Sequence, residues 1–268
     1  MTAQTRSEIA ALLERHGLTP THRLGQHFLA DANITRKVVA LAGVSPGSKV
    51  VEVGAGTGTL TRALAASGGQ VVAFEIDEGL RPLLAEVTSG LDVEVRFADA
   101  TNVDFGSVLD GVGWAMVANL PYNVGTPVVL EALRHAPNIE KFVVMVQREV
   151  AERFVARPGS PEYGLPSVVA GIHSKSAVAF TVPPQVFYPP PLVESAVIEM
   201  SRVPPPHGAE RAIELARAGF GQRRKMLRRS LASVLDDPIG SLETAGIPPT
   251  SRAEDLSPAH YLRLAEVS

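Results

Sequence analysis

Three closely spaced glycines follow a short apolar run near residue 50, in the segment VEVGAGTGTL (Val51–Leu60). Gly54, Gly56 and Gly58 permit a tight turn and leave room for a ligand to approach the backbone. The dinucleotide-binding fingerprint needs a third glycine three residues after the second, and Thr59 occupies that position. The spacing therefore disfavours a nicotinamide dehydrogenase, which stays open as an alternative on this motif alone.

Carboxylates end the next two predicted strands of the chain. Glu75, in FEID, lies 21 residues after Gly54, where a carboxylate can accept both hydroxyls of a ribose. Asp99, in ADAT, is placed to accept from an adenine amino group. Each alone could be only a polar strand end, but the glycine loop carries no Lys or Arg that would bind a phosphate. Together they predict an adenosyl ligand without phosphates, such as S-adenosylmethionine with its positive sulfonium.

The tetrapeptide Asn119-Leu120-Pro121-Tyr122 ends the fourth predicted strand. Acceptors on both hydrogens of an exocyclic adenine amine draw its nitrogen towards a tetrahedral, nucleophilic geometry. The Asn119 side-chain oxygen and the Leu120 carbonyl, turned outward by Pro121, are suitable acceptors, and the Tyr122 ring offers a stacking face for a flipped base. As a bare tetrapeptide this could be a turn. At a strand end that follows a nucleoside-type loop, it predicts methylation of an adenine amine.

These groups can meet only if their strands run parallel and end at the same edge of one sheet. Short β-branched runs predict buried strands at Lys49–Val53, Val71–Phe74, Val93–Phe97, Trp114–Val117 and Phe142–Val146. Helical spacing and caps predict helices at Ser7–Arg15, Leu60–Ser67, Glu78–Val87, Thr126–Arg134 (capped by Thr126) and Glu149–Val155. The alternation predicts an α/β fold with a parallel, Rossmann-like sheet covered on both faces.

The last third of the chain changes character. Ala177–Val182 and Ser195–Val203 are predicted to be closing strands at an antiparallel edge, and Pro204-Pro205-Pro206 then forms a stiff linker. We therefore predict two domains, a nucleoside-binding domain over residues 1–203 and a small helical domain over residues 204–268.

The composition argues against several other classes. The 268 residues are 45% hydrophobic with a net charge of −3, so local basic patches must hold any nucleic acid. There is no Cys, and HExxH, GxSxG and GxxxxGK[ST] are absent, which leaves thiolate, metal, serine-hydrolase and P-loop chemistry without support. No stretch approaches ~18 uninterrupted apolar residues, and the N-terminal residues lack the apolar core of a secretion signal. We expect a cytoplasmic protein with no membrane partner.

Further motifs extend along the chain: LGQHFLAD (Leu24–Asp31), VQREVAERF (Val146–Phe154), YGLPSV (Tyr163–Val168), VPPQVFYPPPLVESAVI (Val182–Ile198), FGQRRKMLRRSL (Phe220–Leu231) and SRAEDLSPAHYLRL (Ser251–Leu264). With the glycine loop, FEID, DAT and NLPY, they resemble the KsgA/RsmA family of adenosine dimethyltransferases, which modify two adjacent adenosines near the 3′ end of small-subunit rRNA. The resemblance covers almost the whole chain. It implies a Rossmann-like class I methyltransferase fold, S-adenosylmethionine as donor, and small-subunit rRNA and the small-subunit precursor as partners.

The resemblance also implies roles for particular residues. Those implied to hold the methyl donor are His27, Leu29, Gly54, Gly56, Glu75, Ile76, Asp99, Ala100 and Asn119. Those implied to form the transfer site are Asn119, Leu120, Pro121, Tyr122 and Phe187. In this scheme Phe187 sandwiches the target base opposite Tyr122. The implied reaction is direct in-line methyl transfer, twice per base, without a metal.

A few positions depart from the family pattern. Leu192 stands where a basic residue is common, Leu165-Pro166 replaces a more basic pair, and Met226 and Arg229 replace polar residues of the tail. The pocket motifs are intact. These differences bear on which side chains meet RNA phosphates.

Basic residues cluster in the C-terminal tail. The segment from Arg217 to Arg229 has no acidic residue and contains Arg217, Arg223, Arg224, Lys225, Arg228 and Arg229. Helical spacing places Arg224 and Arg228 on one face, away from Phe220, Leu227 and Leu231. A basic stripe can be only a solvated face. Beside RNA-modifying motifs, we predict RNA contacts from Arg223, Arg224, Lys225 and Arg228.

Two other functions remain open from the sequence. A resistance-type methyltransferase acting on large-subunit rRNA shares the donor loop and an Asn-x-Pro-aromatic motif, but the FGQRRKMLRRSL tail and the Leu of NLPY disfavour it. A ribosome-assembly factor could act mainly by binding immature small subunits. A catalytically dead relative would be expected to lose Glu75, Asn119 or Tyr122, and the chain keeps all three. We expect a monomer.

Overall fold

The computed structural model describes residues 4–268, which form two compact units. The first unit comprises residues up to Ala151 with Ala177–Ser201, and the second comprises Glu152–Ser176 with Arg202–Ser268. The predicted boundary after residue 203 lies two residues from the division after Ser201. Residues 152–176 were expected in the first domain but group with the second unit, and residues 1–3 lie outside the described residues.

A mixed sheet forms the framework of the first unit. The strands are β1 (Phe28–Leu29), β2 (Lys49–Val53), β3 (Gln70–Glu75), β4 (Val93–Phe97), β5 (Trp114–Asn119), β6 (Ile139–Gln147), β7 (Ser174–Val182), β8 (Phe187–Tyr188) and β9 (Ser195–Arg202). Within the described residues, seven of them lie in the order β4-β3-β2-β5-β6-β9-β7. The first five in this order are parallel and β9 is antiparallel to β6, which confirms the predicted α/β architecture.

Strand register brings the chemical motifs to one edge. Val53 pairs with Phe74, and Glu75 is the last residue of β3, so Gly54 and Glu75 lie at the same end of the two strands. Asn119 is the last residue of β5. Because parallel strands share a direction, the glycine loop, the acidic strand end and the NLPY segment all lie at the carboxyl edge of the sheet.

Helices alternate with the parallel strands, as the sequence predicts. They are α1 (Arg6–Arg15), α2 (Ala32–Ala42), α3 (Thr59–Ala66), α4 (Arg81–Thr88), α5 (Phe105–Val108), α6 (Gly125–His135) and α7 (Arg148–Val155). The predicted cap of α6 is wrong: the helix starts at Gly125 and Val124 is its N-cap, with no side-chain cap bond. The Pro121 carbonyl instead accepts from the Val124 and Gly125 amides, so the NLPY turn itself starts this helix.

The second unit is helical and is organised around three aromatic rings. Its helices are α8 (Leu165–His173), α9 (Ala209–Gly221), α10 (Leu227–Ser230), α11 (Pro238–Thr244) and α12 (Pro258–Glu266). The Phe220 ring lies 5.9 Å from the ring of Tyr163 and 6.5 Å from that of Tyr261. The two tyrosine hydroxyls donate to the Leu256 and Ala253 carbonyls at 2.7 and 2.9 Å. The two tyrosines thereby hold the loop before α12.

The basic segment is not one helix, contrary to our expectation. Helix α9 ends at Gly221, a turn follows, and α10 begins at Leu227. The Leu227 amide donates to the Ser251 carbonyl at 2.7 Å, a tertiary bond that replaces a continuing helical one. Arg224 therefore lies in the turn and Arg228 in α10, and they do not share a helix face. In the described residues, no helix is both long and apolar enough to cross a bilayer.

A buried carboxyl group lies in the middle of the sheet. Glu52 in β2 is 1% exposed, and its Oε2 has no hydrogen-bond partner in residues 4–268. Burial raises the pKa of Glu52 to about 8, and the neighbouring Glu75 carboxylate acts in the same direction. Glu52 therefore carries its proton in the folded protein at neutral pH.

Replacing Glu52 with Gln is expected to make folding less dependent on pH. The folded protein holds the Glu52 proton more tightly than the unfolded chain does. The stabilisation from Glu52 is therefore complete below about pH 4.5 and is lost as the pH rises towards 8. The stability of the wild type relative to Glu52→Gln should thus fall by roughly 1.4 kcal/mol per pH unit, on the order of 3 to 5 kcal/mol in all. Urea unfolding of both proteins at pH 5 and pH 8 measures this. An equal difference at the two pH values would contradict a protonated Glu52.

Candidate active site

One cavity lies at the carboxyl edge of the parallel strands. Its lining comes from the segment after α1, the glycine loop, the ends of β3 and β4, and NLPY: Leu24, Gly25, Gln26, His27, Phe28, Val53, Gly54, Gly56, Phe74, Glu75, Ile76, Ala98, Asp99, Ala100, Asn119, Leu120, Pro121, Tyr122, Asn123 and Val124. The fold thus brings together most of the residues that the sequence predicts to bind the donor or to act in transfer.

The glycine loop lines the cavity and packs closely against other residues of its wall. Gly54 and Gly56 have φ of 81° and 56°, in the left-handed region that favours glycine. A Cβ on Gly56 would lie 2.9 Å from the Phe28 ring, and one on Gly54 would lie 3.3 Å from Pro121 Cδ. A side chain at either position would therefore displace the Phe28 ring or Pro121, both of which line the cavity.

Glu75 anchors this loop. Its Oε2 accepts from the Gly56 amide at 2.8 Å, and its Oε1 accepts from the Ile76 and Asp77 amides, both at 2.9 Å. The carboxylate is 6% exposed. Burial raises the pKa of Glu75, and the three amides oppose this effect. The group that we predict to bind the ribose therefore also joins the end of β3 to the glycine loop.

The adenine end of the predicted donor site combines a carboxylate with an exposed apolar face. Asp99 Oδ1 accepts from the Thr101 hydroxyl and amide at 2.7 and 2.9 Å, and these bonds hold the pKa of Asp99 below its usual value. Ile76 lines the cavity and is 47% exposed. Ala100 lines the same cavity. A flat, apolar base edged by an amino group matches these surroundings.

The amide of Asn119 is oriented by the N-terminal segment. Its Nδ2 donates to the His27 carbonyl at 3.0 Å. Because only the amide nitrogen can donate to a carbonyl, Oδ1 is the atom turned away from this bond and available as an acceptor. His27 Nδ1 in turn lies 2.8 Å from the Pro189 carbonyl. The His27 backbone and ring thus connect NLPY to the segment after β8.

Tyr122 is held in place by Ser195 and His27. Its hydroxyl lies 2.6 Å from the hydroxyl of Ser195, which is fully buried, and its ring lies 5.4 Å from that of His27. Burial raises the pKa of Tyr122, so the phenol is neutral. Leu120 lines the cavity but is 1% exposed, so the role of its carbonyl as an amine acceptor stays a prediction. Pro121 contributes to the same wall.

Two predicted site residues do not line this cavity. Leu29 is 3% exposed and pairs with Phe187 across β1 and β8. Phe187 is fully buried in the hydrophobic core. Packing between the two strands holds both side chains inside, so the stacking role of Phe187 and the donor contact of Leu29 stay predictions.

Sequence reasoning missed the residues that support the site. Gln4 is 5% exposed, and its side chain bonds to Thr57 and Thr59 beside the glycine loop at 2.6 to 3.1 Å. Gln26 Nε2 donates to Asp77 at 2.7 Å, next to the Glu75 turn. Ser195 supports Tyr122, as described above. Isolated polar residues such as these carry no local motif, and only contacts between distant segments reveal their partners.

The cavity fits S-adenosylmethionine. Two of its lining residues are carboxylates, and none of the described lining residues is Lys or Arg, which suits a positively charged ligand without phosphates. Gly54 and Gly56 line the cavity beside the strand ends and add no side chain to it. The fold and this site define a class I methyltransferase that uses S-adenosylmethionine.

The family follows from comparison with known proteins. The model of the ribosomal RNA adenine dimethylase family matches residues 18–268. A protein named ribosomal RNA small subunit methyltransferase A from Mesorhizobium japonicum is 44% identical, covering 94% of this chain and 95% of the relative. Its namesake from Phenylobacterium zucineum is 41% identical, covering 99% and 94%. The chain belongs to the ribosomal RNA adenine dimethylase family.

Solved structures share the fold. A dimethyladenosine transferase from Plasmodium falciparum superposes with a TM-score of 0.73 at 22% identity, over 89% of this chain and 96% of its own. The 23S rRNA methyltransferase ErmE superposes with a TM-score of 0.67 at 28% identity, over 89% and 98%. The predicted class I fold, family and methyl donor are thereby confirmed.

Glu75→Ala is expected to weaken binding of S-adenosylmethionine by on the order of 1.5 to 3 kcal/mol, because a charged acceptor is lost. Loosening of the glycine loop should add to this loss. Calorimetric titration of the folded variants measures it, with Glu78→Ala as the control because Glu78 is an exposed carboxylate three residues away that pairs with Arg81. Equal donor affinity in Glu75→Ala and the wild type would show that Glu75 does not bind the donor.

Proposed function

We propose that this protein dimethylates N6 of two adjacent adenosines near the 3′ end of small-subunit rRNA, using S-adenosylmethionine. The observation that carries this proposal is the orientation of the Asn119 amide. Its Nδ2 is held by the His27 carbonyl, and its Oδ1 remains as an acceptor in a cavity that also contains Glu75 and Asp99. An acceptor for an amine thus lies beside a site suited to an adenosyl donor.

The residues of this cavity act by positioning and polarisation. S-adenosylmethionine supplies an electrophilic methyl group on a positively charged sulfur. Asn119 Oδ1 and the Leu120 carbonyl accept from the two N6 hydrogens, which directs the nitrogen lone pair towards the methyl group. The Tyr122 ring supports the base. Because the amine becomes acidic only as the new N–C bond forms, the proton can leave afterwards and no strong general base is needed.

The small-subunit substrate is favoured over a large-subunit one. The two relatives that share 44% and 41% identity are named as small-subunit methyltransferases. ErmE, named as a 23S rRNA methyltransferase, shares 28%. A binding role in small-subunit assembly is compatible with this activity. We further propose that the protein acts in the cytoplasm as a monomer on the small-subunit precursor.

RNA binding is assigned to the second unit, where exposed basic residues surround the turn after α9. Arg224, Lys225 and Arg228 are exposed. Arg223 is already engaged, since its Nε lies 2.8 Å from Glu254 and its guanidinium donates to the Pro161 carbonyl at 3.0 Å. We propose Arg224, Lys225 and Arg228 as phosphate ligands and Arg223 as a residue that also holds the turn in place.

The proposed substrate is tested by incubating the protein with labelled S-adenosylmethionine and either unmethylated small subunits or large subunits. The modified nucleotides are then mapped. Label on two adjacent adenosines near the 3′ end of small-subunit RNA is the expected result. Label confined to large-subunit RNA would establish the ErmE-like alternative instead.

Asn119→Ala is expected to lower the rate of methyl transfer by roughly 100-fold or more, because one preorganised acceptor at the reacting amine is lost. RNA affinity should change much less. Single-turnover methylation at saturating RNA and donor measures the rate. Asn33→Ala serves as the control because Asn33 is exposed at the start of α2. A folded Asn119→Ala enzyme that reacts at the wild-type rate would refute the role.

Neutralising Arg224 and Arg228 together is expected to act on affinity instead. Each phosphate contact contributes about 0.7 to 0.9 to the slope of log K against log salt, so the double Gln variant should bind more weakly, with a slope shallower by about 1.4 to 1.8. The rate at saturating RNA should stay near that of the wild type. A salt series of binding constants tests this, with Arg15→Gln as control because Arg15 is an exposed partner of Glu86 in the first unit. An unchanged slope would show that these residues are only solvated.

A further inference from the structure

The segment between β8 and β9 is tied to the active site at both ends. At its start, the Pro189 carbonyl lies 2.8 Å from His27 Nδ1. At its end, the Ser195 hydroxyl lies 2.6 Å from the Tyr122 hydroxyl. Both partners line the cavity. Residues 190–194 therefore form a loop that both begins and ends against residues of the transfer site.

The tip of this loop is apolar and fully exposed. Leu192 has a relative exposure of 101%, and Val193 beside it is 46% exposed. Glu194, the next residue, is fixed by two contacts with Arg148. Its carboxylate pairs with the Arg148 guanidinium at 2.9 Å, and its carbonyl accepts from the Arg148 amide. A single exposed Leu on a protein surface is ordinary. Two neighbouring apolar side chains on a loop anchored to a catalytic site are a more specific feature.

The loop is stiff, and its tip is close to the site. Residues 189–191 are all proline, which restricts backbone φ. Leu192 is three residues from Pro189 and three from Ser195, so its Cα lies within about 11 Å of both anchoring Cα atoms. The exposed Leu side chain is therefore held near the place where a base must enter beside Tyr122.

The reaction creates a need for such a side chain. An adenine held in a base stack cannot present N6 inside a cavity, so the nucleotide must leave the stack before it reacts. Proteins that unstack nucleic acid bases insert apolar side chains such as Leu, Ile, Met or Phe where stacking is lost. A side chain that fills the gap stabilises the open RNA, because the faces of the remaining bases stay covered.

We propose that Leu192, with Val193 beside it, is a wedge that enters the gap left in the substrate RNA when the target adenosine moves into the cavity. This inference rests on the proposed function, because it takes RNA adenosine as the substrate. In the complex, the exposed Leu192 side chain thus contacts the face of a base next to the target adenosine. Leu192 determines how readily stacked adenosines react, and it has no part in donor binding.

The test compares Leu192→Ala, Leu192→Lys and Leu192→Met on unmethylated small subunits and on two protein-free RNAs. One RNA has the target adenosines stacked in a hairpin, and the other has them in an unstructured strand. The matched control is Val112→Ala, because Val112 is a 72% exposed apolar tip that precedes the amino-terminal end of β5, opposite Asn119. Single-turnover rates, donor affinity and RNA affinity are measured for each. A second hairpin carries 2-aminopurine at the target position, and its fluorescence reports unstacking.

Leu192→Ala and Leu192→Lys should react about tenfold more slowly on the hairpin and should reduce the 2-aminopurine signal to a similar extent. On the unstructured strand the loss should be less than twofold. Donor affinity should be unchanged, and Leu192→Met should retain most of the activity because it keeps an apolar side chain. Val112→Ala should match the wild type throughout.

If the Leu192 variants lose the same fraction of the rate on both RNAs, or lose none on either, the wedge proposal is overturned. A loss seen only with protein-containing subunits would overturn it as well, and would assign Leu192 to a contact with a ribosomal protein. The wild-type reaction alone tests the proposed function, since it shows which rRNA is methylated. The hairpins are drawn from that RNA, so the ratio of variant to wild-type rates tests the wedge independently.

Discussion

Three backbone amides converge on one buried carboxylate, and the donor site depends on this arrangement. Glu75 accepts from Gly56 across the gap between β2 and β3, and from Ile76 and Asp77 in its own turn. Burying a charged group is costly unless it is hydrogen-bonded, so these bonds favour one position of the loop over others. The left-handed Gly54 and Gly56 then line the cavity without adding a side chain to it. The same carboxylate both builds the site and serves as the proposed ribose ligand.

The N-terminal segment completes the site from outside the sheet. Gln4 bonds to both Thr57 and Thr59 at the start of α3, and Arg6 donates to the Phe187 carbonyl at 2.9 Å. Farther along, the His27 carbonyl holds the Asn119 amide. The family model begins only at residue 18, yet α1 buries Ile9, Leu12 and Leu13 in the core of the first unit. Donor loop, transfer segment and β8 are thus joined by one stretch of chain.

Tertiary contacts also decide how basic residues are displayed in the second unit. The bond from the Leu227 amide to the Ser251 carbonyl ends any continuation of α9 and places Arg224 in a turn. Arg223 pairs with Glu254, the residue after Ala253, whose carbonyl accepts from the Tyr261 hydroxyl. The proposed RNA contacts therefore arise from a turn and a short helix. A turn can direct its side chains over a wider range of angles than one helical face.

Local patterning was enough to predict the α/β class, the bounds of β2 and β4, and the positions of Glu75, Asp99 and Asn119 at strand ends. The reason is that apolar β-branched runs mark buried strands, and parallel strands end at a shared edge. The pairing of groups that are far apart in the sequence was visible only in the folded chain. Contacts between distant segments place Ser195 against Tyr122, bury Phe187 in the hydrophobic core, interrupt the basic helix, and group residues 152–176 with the second unit. Such contacts join residues far apart in the chain, and their energies depend on packing that no short segment specifies.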